Sequence, residues 1–232
     1  MSGGSAVLAG AREAAGVPAA VLVAGYIGFG ALAAGHGLPL AAILASTVAV
    51  WALPAQLILV EMHTVGAPLV ATVLAAMLSS ARFLPMTLTL MPMMRHARYR
   101  GWQYLVAAQL LSLTGWAMAM ARFPDIETAR RLPWFFGFTL VCVLASAAAT
   151  AIGYALADAI TPLVKTGLVF LAPIYYLLIL LGSVRDRATA YALSCGALAG
   201  PVAFVYAPEW SVLIAGLGGG TLAYLMLPRR AA

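Results

Sequence analysis

Charge is what this chain has least of. Of 232 residues, 13 are basic and 7 acidic, so charged residues make up 9%, against about 25% in soluble domains. A soluble enzyme or a nucleic-acid binder needs a solvated polar surface, and a disordered chain needs even less apolar content. All three are excluded, and no nucleic-acid partner is expected. Cysteine is nearly absent: Cys142 and Cys195 both lie in apolar stretches, with neither a disulfide framework nor a metal-ligand spacing. The three histidines, His36, His63 and His96, are scattered through turns and segment ends. They make no metal site and offer no partner to an intramembrane serine nucleophile. The only close acidic pair, Asp125 and Glu127, sits among arginines, unlike a magnesium-binding cluster. No glycine-rich loop ends in Lys-Ser/Thr, so a phosphate-binding loop is missing. The Gly25-x-x-Gly28-x-Gly30 run lacks the strand and βαβ setting of a dinucleotide site. An enzyme is not expected, nor a cofactor.

What fills the chain is apolar sequence. Hydrophobic residues make up 64%. They gather at 17–34, 38–60, 67–91, 102–121, 134–157, 167–184, 188–207 and 211–227, with short polar turns between them. A crossing helix needs roughly 20 such residues and satisfies its own backbone hydrogen bonds. The expectation is an all-α integral membrane protein of about 7–8 transmembrane helices. Residues 17–227 would form one transmembrane domain, preceded by a cytoplasmic segment over 1–16 and followed by a short tail over 228–232. Ala31-Leu32-Ala33 could serve as a signal-peptide cleavage site, but Glu13 offsets Arg12 ahead of the apolar run. A retained first span is preferred. The net charge of +6 lies mostly in loops, which fits positive-inside topology and contact with anionic lipids.

Some spans should be broken. Residues 66–94 are long for one crossing and short for two. In their middle stand Ser79, Ser80 and Pro85, which predict a break near 79–85. Pro54 and Pro173 predict breaks in the second and sixth segments. Ala52-Leu53-Pro54-Ala55-Gln56-Leu57 and Leu171-Ala172-Pro173-Ile174-Tyr175-Tyr176 are alike enough to raise an internal repeat. Discontinuous helices are where transporters bind their substrates.

Ionisable groups inside apolar spans are functional candidates by default. Arg82 stands out. It can fork two hydrogen bonds to a substrate carboxylate, or it can pair internally with Glu61 or Asp158. Ser79 and Ser80 lie beside it. Gln56 follows Pro54 in an apolar run and needs partners, either on a substrate or on another helix. Trp51 and Tyr175 could line an apolar pocket. Glu61, His63 and Asp158 end spans; each is a candidate for ion coupling or simply a polar helix end.

Several blocks share an order. They are Gly28-Phe29-Gly30-Ala31-Leu32-Ala33, Gly35-His36-Gly37-Leu38-Pro39, Ala55-Gln56-Leu57, Gly66-Ala67-Pro68 and Ala81-Arg82 with Leu84 and the 88–92 stretch. Trp134 with Gly137, Arg185-Asp186-Arg187 and Trp210-Ser211 follow. Together they resemble the AzlC family, the large subunits of bacterial branched-chain amino acid exporters, over about residues 17–227. The resemblance implies a permease subunit of the cytoplasmic (inner) membrane that effluxes leucine, isoleucine, valine or similar apolar amino acids. It also implies a small AzlD-type membrane partner, hence a hetero-oligomer, a homo-oligomer being the other possibility, and an ion gradient as driving force. In that family an Asn stands two positions before the arginine and a His directly after it; here those positions hold Ser80 and Phe83. A non-transporting scaffold subunit and a permease for another small organic solute are the alternatives.

Overall fold

The computed structural model describes residues 3–182, 187–206 and 214–226. Among them every element is helical. In chain order these are α1 Gly3–Ala14, α2 Val17–Gly35, α3 Leu40–Ala49, α4 Leu53–Thr64, α5 Leu69–Ser80, α6 Phe83–Met94, α7 Gly101–Gln109 and α8 Leu113–Arg122. A 3-10 turn, Phe123–Asp125, leads to α9 Thr128–Ala155, α10 Pro162–Gly182 and α11 Arg187–Tyr206. A π turn, Ile214–Gly218, then runs into α12 Gly219–Met226.

By length and composition, α2 and α9 are long and apolar enough to cross a membrane. They also form the centre of the packing, with α1, α3 and α8 against α9 and α10 against α2. Glycine makes the central contact possible. A Cβ on Gly30 would overlap the Thr150 carbonyl, and one on Gly153 would overlap the Ile27 carbonyl. The two backbones therefore touch, as expected for small-residue interfaces where lipid removes the ordinary hydrophobic drive between helices. Gly10 and Gly137 do the same between α1 and α9, so residues 3–14 are packed onto the main body. Leu69, Leu163, Leu198 and Val205 are among many large apolar side chains left exposed. In water such a surface would aggregate; in a bilayer it faces solvent of its own kind.

The expected segments now divide differently. Residues 38–60, 67–91 and 102–121 are each a pair of short helices of 9 to 12 residues. The first two breaks fall where the prolines and serines put them. The third, inside 102–121, was not expected. Conversely, α10 runs unbroken through position 173, which corrects the break predicted there. The proposed repeat partners thus differ: 52–57 restarts a helix, whereas 171–176 lies inside one. The Arg185-Asp186-Arg187 and Trp210-Ser211 blocks fall wholly or largely outside the described residues.

Candidate functional site: a cleft where three helix breaks meet

Each break has its own local cause. After α3, Trp51 takes a positive φ of 38° and Ala52 is extended. Pro54 then sits in the first turn of α4, where a missing N–H costs nothing. Between α5 and α6, Ala81 and Arg82 form a turn closed by the Leu84 N–H donating to the Ala81 carbonyl at 3.1 Å. Between α7 and α8, Ser112 is extended, and its hydroxyl accepts from the Gly115 N–H at 3.1 Å, an ordinary N-cap.

The three breaks converge. The first residues of α4, α6 and α8, namely Leu53, Phe83 and Leu113, all line one narrow cleft. Trp51, Arg82 and Ser112 line it from the breaks themselves, and Leu22, Gly25 and Tyr26 close it from α2. Its volume is about 30 Å³, room for roughly two waters. As it stands, the cleft is too small for a larger organic molecule.

The charge pattern of the cleft is one-sided. Arg82 is half-buried, with its guanidinium carbon 5.4 Å from the Phe83 ring centroid, within cation–π range. The starts of α4 and α6 carry no side-chain cap, so their N–H ends add positive partial charge. None of the lining residues is acidic. Apart from Ser112 and Tyr26, the remaining lining side chains are apolar. Such a site suits a small anion, or the carboxylate end of a larger molecule, attached to an apolar group. No residue of α3, α5 or α7 lines the cleft, and the Ala49 carbonyl at the end of α3 accepts from the Gln109 amide.

Gln56 lies fully buried just behind the cleft. Its Oε1 accepts from the Tyr26 hydroxyl at 3.0 Å. Its Nε2 donates to the Ser46 and Thr47 hydroxyls, both at 3.1 Å. The amide thus ties α2 and the end of α3 to α4. Of the expected residues, Arg82 and Trp51 are brought together, with Gln56 joined to them through Tyr26. Ser79 and Ser80 end α5, partly buried, and do not line the cleft. The Tyr175 side chain lies outside the described residues. Glu61, His63 and Asp158 are exposed and away from the cleft. Tyr26, Gly25, Phe83 and Ser112 were missed. Ser112, ahead of Gly115 in an apolar run, was a readable capping signal; Tyr26 had none beyond its place among glycines.

An all-helical chain with short helices around a cationic cleft and apolar outer faces has the character of a membrane protein of transporter type. The AzlC protein family matches residues 18–160, well over half of the chain, and the chain belongs to that family. The match extends from α2 through α9 and includes every residue that lines the cleft. Comparison with curated proteins and with solved structures finds no match. Membership carries a role related to membrane transport.

Proposed function

We propose that this chain is the substrate-carrying subunit of a secondary transporter that exports branched-chain or similar apolar amino acids across the bacterial cytoplasmic membrane. A small AzlD-type subunit is its partner. The convergence of three helix breaks on Arg82 carries the reading. Half-helices of 9 to 12 residues are roughly 14–18 Å long, about half of a 30 Å hydrocarbon core. Each break then lies near mid-membrane. A zwitterion finds a carboxylate partner in Arg82 and the α4 and α6 starts. Its side chain packs among Leu22, Trp51, Leu53 and Leu113.

The test is counterflow of labelled leucine, valine and methionine in proteoliposomes holding the chain with its partner. Saturable exchange of at least one is expected. Losing a charge-assisted hydrogen bond of about 1.5–3 kcal/mol should lower exchange by roughly 10- to 150-fold in Arg82→Ala, with intact assembly by size-exclusion chromatography. No exchange of any of the three would overturn the substrate assignment. Unchanged exchange in Arg82→Ala would remove Arg82 from the site.

A further inference from the structure

The two ends of the α7–α8 pair lie at the same place. Arg131, in the first turn of α9, donates from Nη1 to the Met93 carbonyl near the end of α6 at 2.9 Å. The Tyr99 hydroxyl, just ahead of α7, donates to the Ala129 carbonyl. Phe123, directly after α8, has its ring centroid 5.9 Å from that of Trp134 and 5.6 Å from the Arg131 guanidinium carbon. The pair is thus entered and left beside residues 129–134 of α9, a stretch of roughly 8 Å. A pair that crossed a bilayer would have its ends about 30 Å apart. Between these ends the chain turns at the cleft. Gln109, the last residue of α7, donates to the Ala49 carbonyl at the end of α3, and Ser112 and Leu113 line the cleft itself. A Cβ on Gly115 would touch the Phe135 and Thr139 side chains, so α8 then runs back along α9 towards its start.

We infer that α7–α8 is a re-entrant hairpin: it enters and leaves the membrane at one face, and its tip closes the cleft from that side. The helices have 9 and 10 residues, roughly 14 and 15 Å, which carries the tip to about the middle of a 30 Å core. Irregular backbone at that depth must be buried in protein. Leu111 is 4% and Ser112 6% exposed, and the Leu111 and Gly115 N–H groups both have acceptors. The face is the cytoplasmic one. Arg95, Arg98, Arg100, Arg122, Arg130 and Arg131 all belong to this end, against Glu13, Asp125 and Glu127, and a basic excess marks the cytoplasmic side. The hairpin is anchored at its foot by the two 2.8 Å hydrogen bonds from Arg122 to Glu13 and by the Phe123 ring. Near its tip it is held by Gln109 and by the Trp116 indole N–H, which donates to the Thr89 hydroxyl at 3.0 Å. A swing of the tip about the foot opens the cleft to the cytoplasm, the side from which an exporter loads. The loading role rests on the proposed transport function; the topology does not.

Single cysteines in the full chain carrying Cys142→Ala and Cys195→Ala test both parts, with a membrane-impermeant maleimide applied to right-side-out and inverted vesicles. Arg98→Cys and Asp125→Cys, exposed on either side of the hairpin, should label in inverted vesicles only. Asp158→Cys, beyond the far end of α9, should label in right-side-out vesicles only. Labelling of Arg98→Cys and Asp125→Cys from opposite faces would overturn the hairpin, and labelling of both from outside would overturn its cytoplasmic orientation. No amino acid is present, so these results stand apart from the transport assignment. Leu113→Cys at the tip tests the gate with a small impermeant methanethiosulfonate. It should react from the cytoplasmic face, and roughly 2- to 10-fold faster when combined with Gln109→Ala, the factor that one ordinary hydrogen bond supplies. No reaction from that face, or an unchanged rate in the Gln109→Ala background, would overturn the gate and leave the hairpin standing.

Discussion

Trp51 is a tryptophan where the backbone would prefer glycine. Its φ of 38° lies in the left-handed region, which costs a residue with a Cβ about 1–2 kcal/mol. Its side chain, however, is only 3% exposed, and truncating a buried tryptophan costs about 3–5 kcal/mol. Trp51→Ala loses the side chain and keeps the strain, so a loss of about 3–5 kcal/mol is expected. Trp51→Gly loses the same side chain and relieves the strain. Part of that relief, about 0.4–1 kcal/mol, is returned through the greater freedom of glycine in the unfolded chain. The glycine variant should therefore be the more stable of the two by up to about 1 kcal/mol, while both fall below the wild type. In a helix interior the order is the reverse, since glycine there is worse than alanine by a similar amount. Equilibrium unfolding in mixed micelles measures the difference. If alanine equals or exceeds glycine, the turn at Trp51 is free to relax and the break is not a fixed feature. If glycine exceeds the wild type, the indole does not hold the break in place.

Other parts of the fold give their own tests. Gln56→Leu removes two buried hydrogen bonds and one part-buried one, each worth about 0.6 kcal/mol within a membrane protein. A loss of roughly 2 kcal/mol in the same unfolding assay is expected, and a loss near zero would mean the amide is not so held. Gly153→Val places a side chain against the Ile27 carbonyl. Overpacking costs about 1–3 kcal/mol, and backbone on both sides puts this case at the upper end; a well-folded, equally stable variant would refute the α2–α9 contact. Glu13 and Arg122 make two hydrogen bonds of 2.8 Å between α1 and α8, with side chains 26% and 45% exposed. At that exposure the pair is worth about 0–1 kcal/mol. Glu13→Gln should therefore shift stability by less than that, and the shift should shrink with added salt; a larger, salt-independent loss would show a buried role.

What could be read from the sequence follows from what each residue does alone. Arg82 was legible because a charge inside an apolar run is costly wherever it points. The breaks at 50–52 and 81–82 were legible because each is followed within a few residues by a proline. Proline by itself was not a sufficient sign. Pro54 comes after Trp51 and Ala52, whose backbone has already left the helix, whereas α10 passes through position 173 without interruption. A proline inside a membrane helix is tolerated when neighbours meet the freed carbonyl, and that is a property of the surroundings. The third break has no proline at all and rests on the Ser112 cap. Tyr26 was illegible for a related reason: its role depends on Gln56, thirty positions away, meeting it across two helices. The restarts at residues 53, 83 and 113 contain information that no one break shows. Three consecutive segments run back and forth, each interrupted about halfway. All three interruptions line the same cleft. The regular interval and the shared cleft are visible together only once the three pairs of short helices are packed.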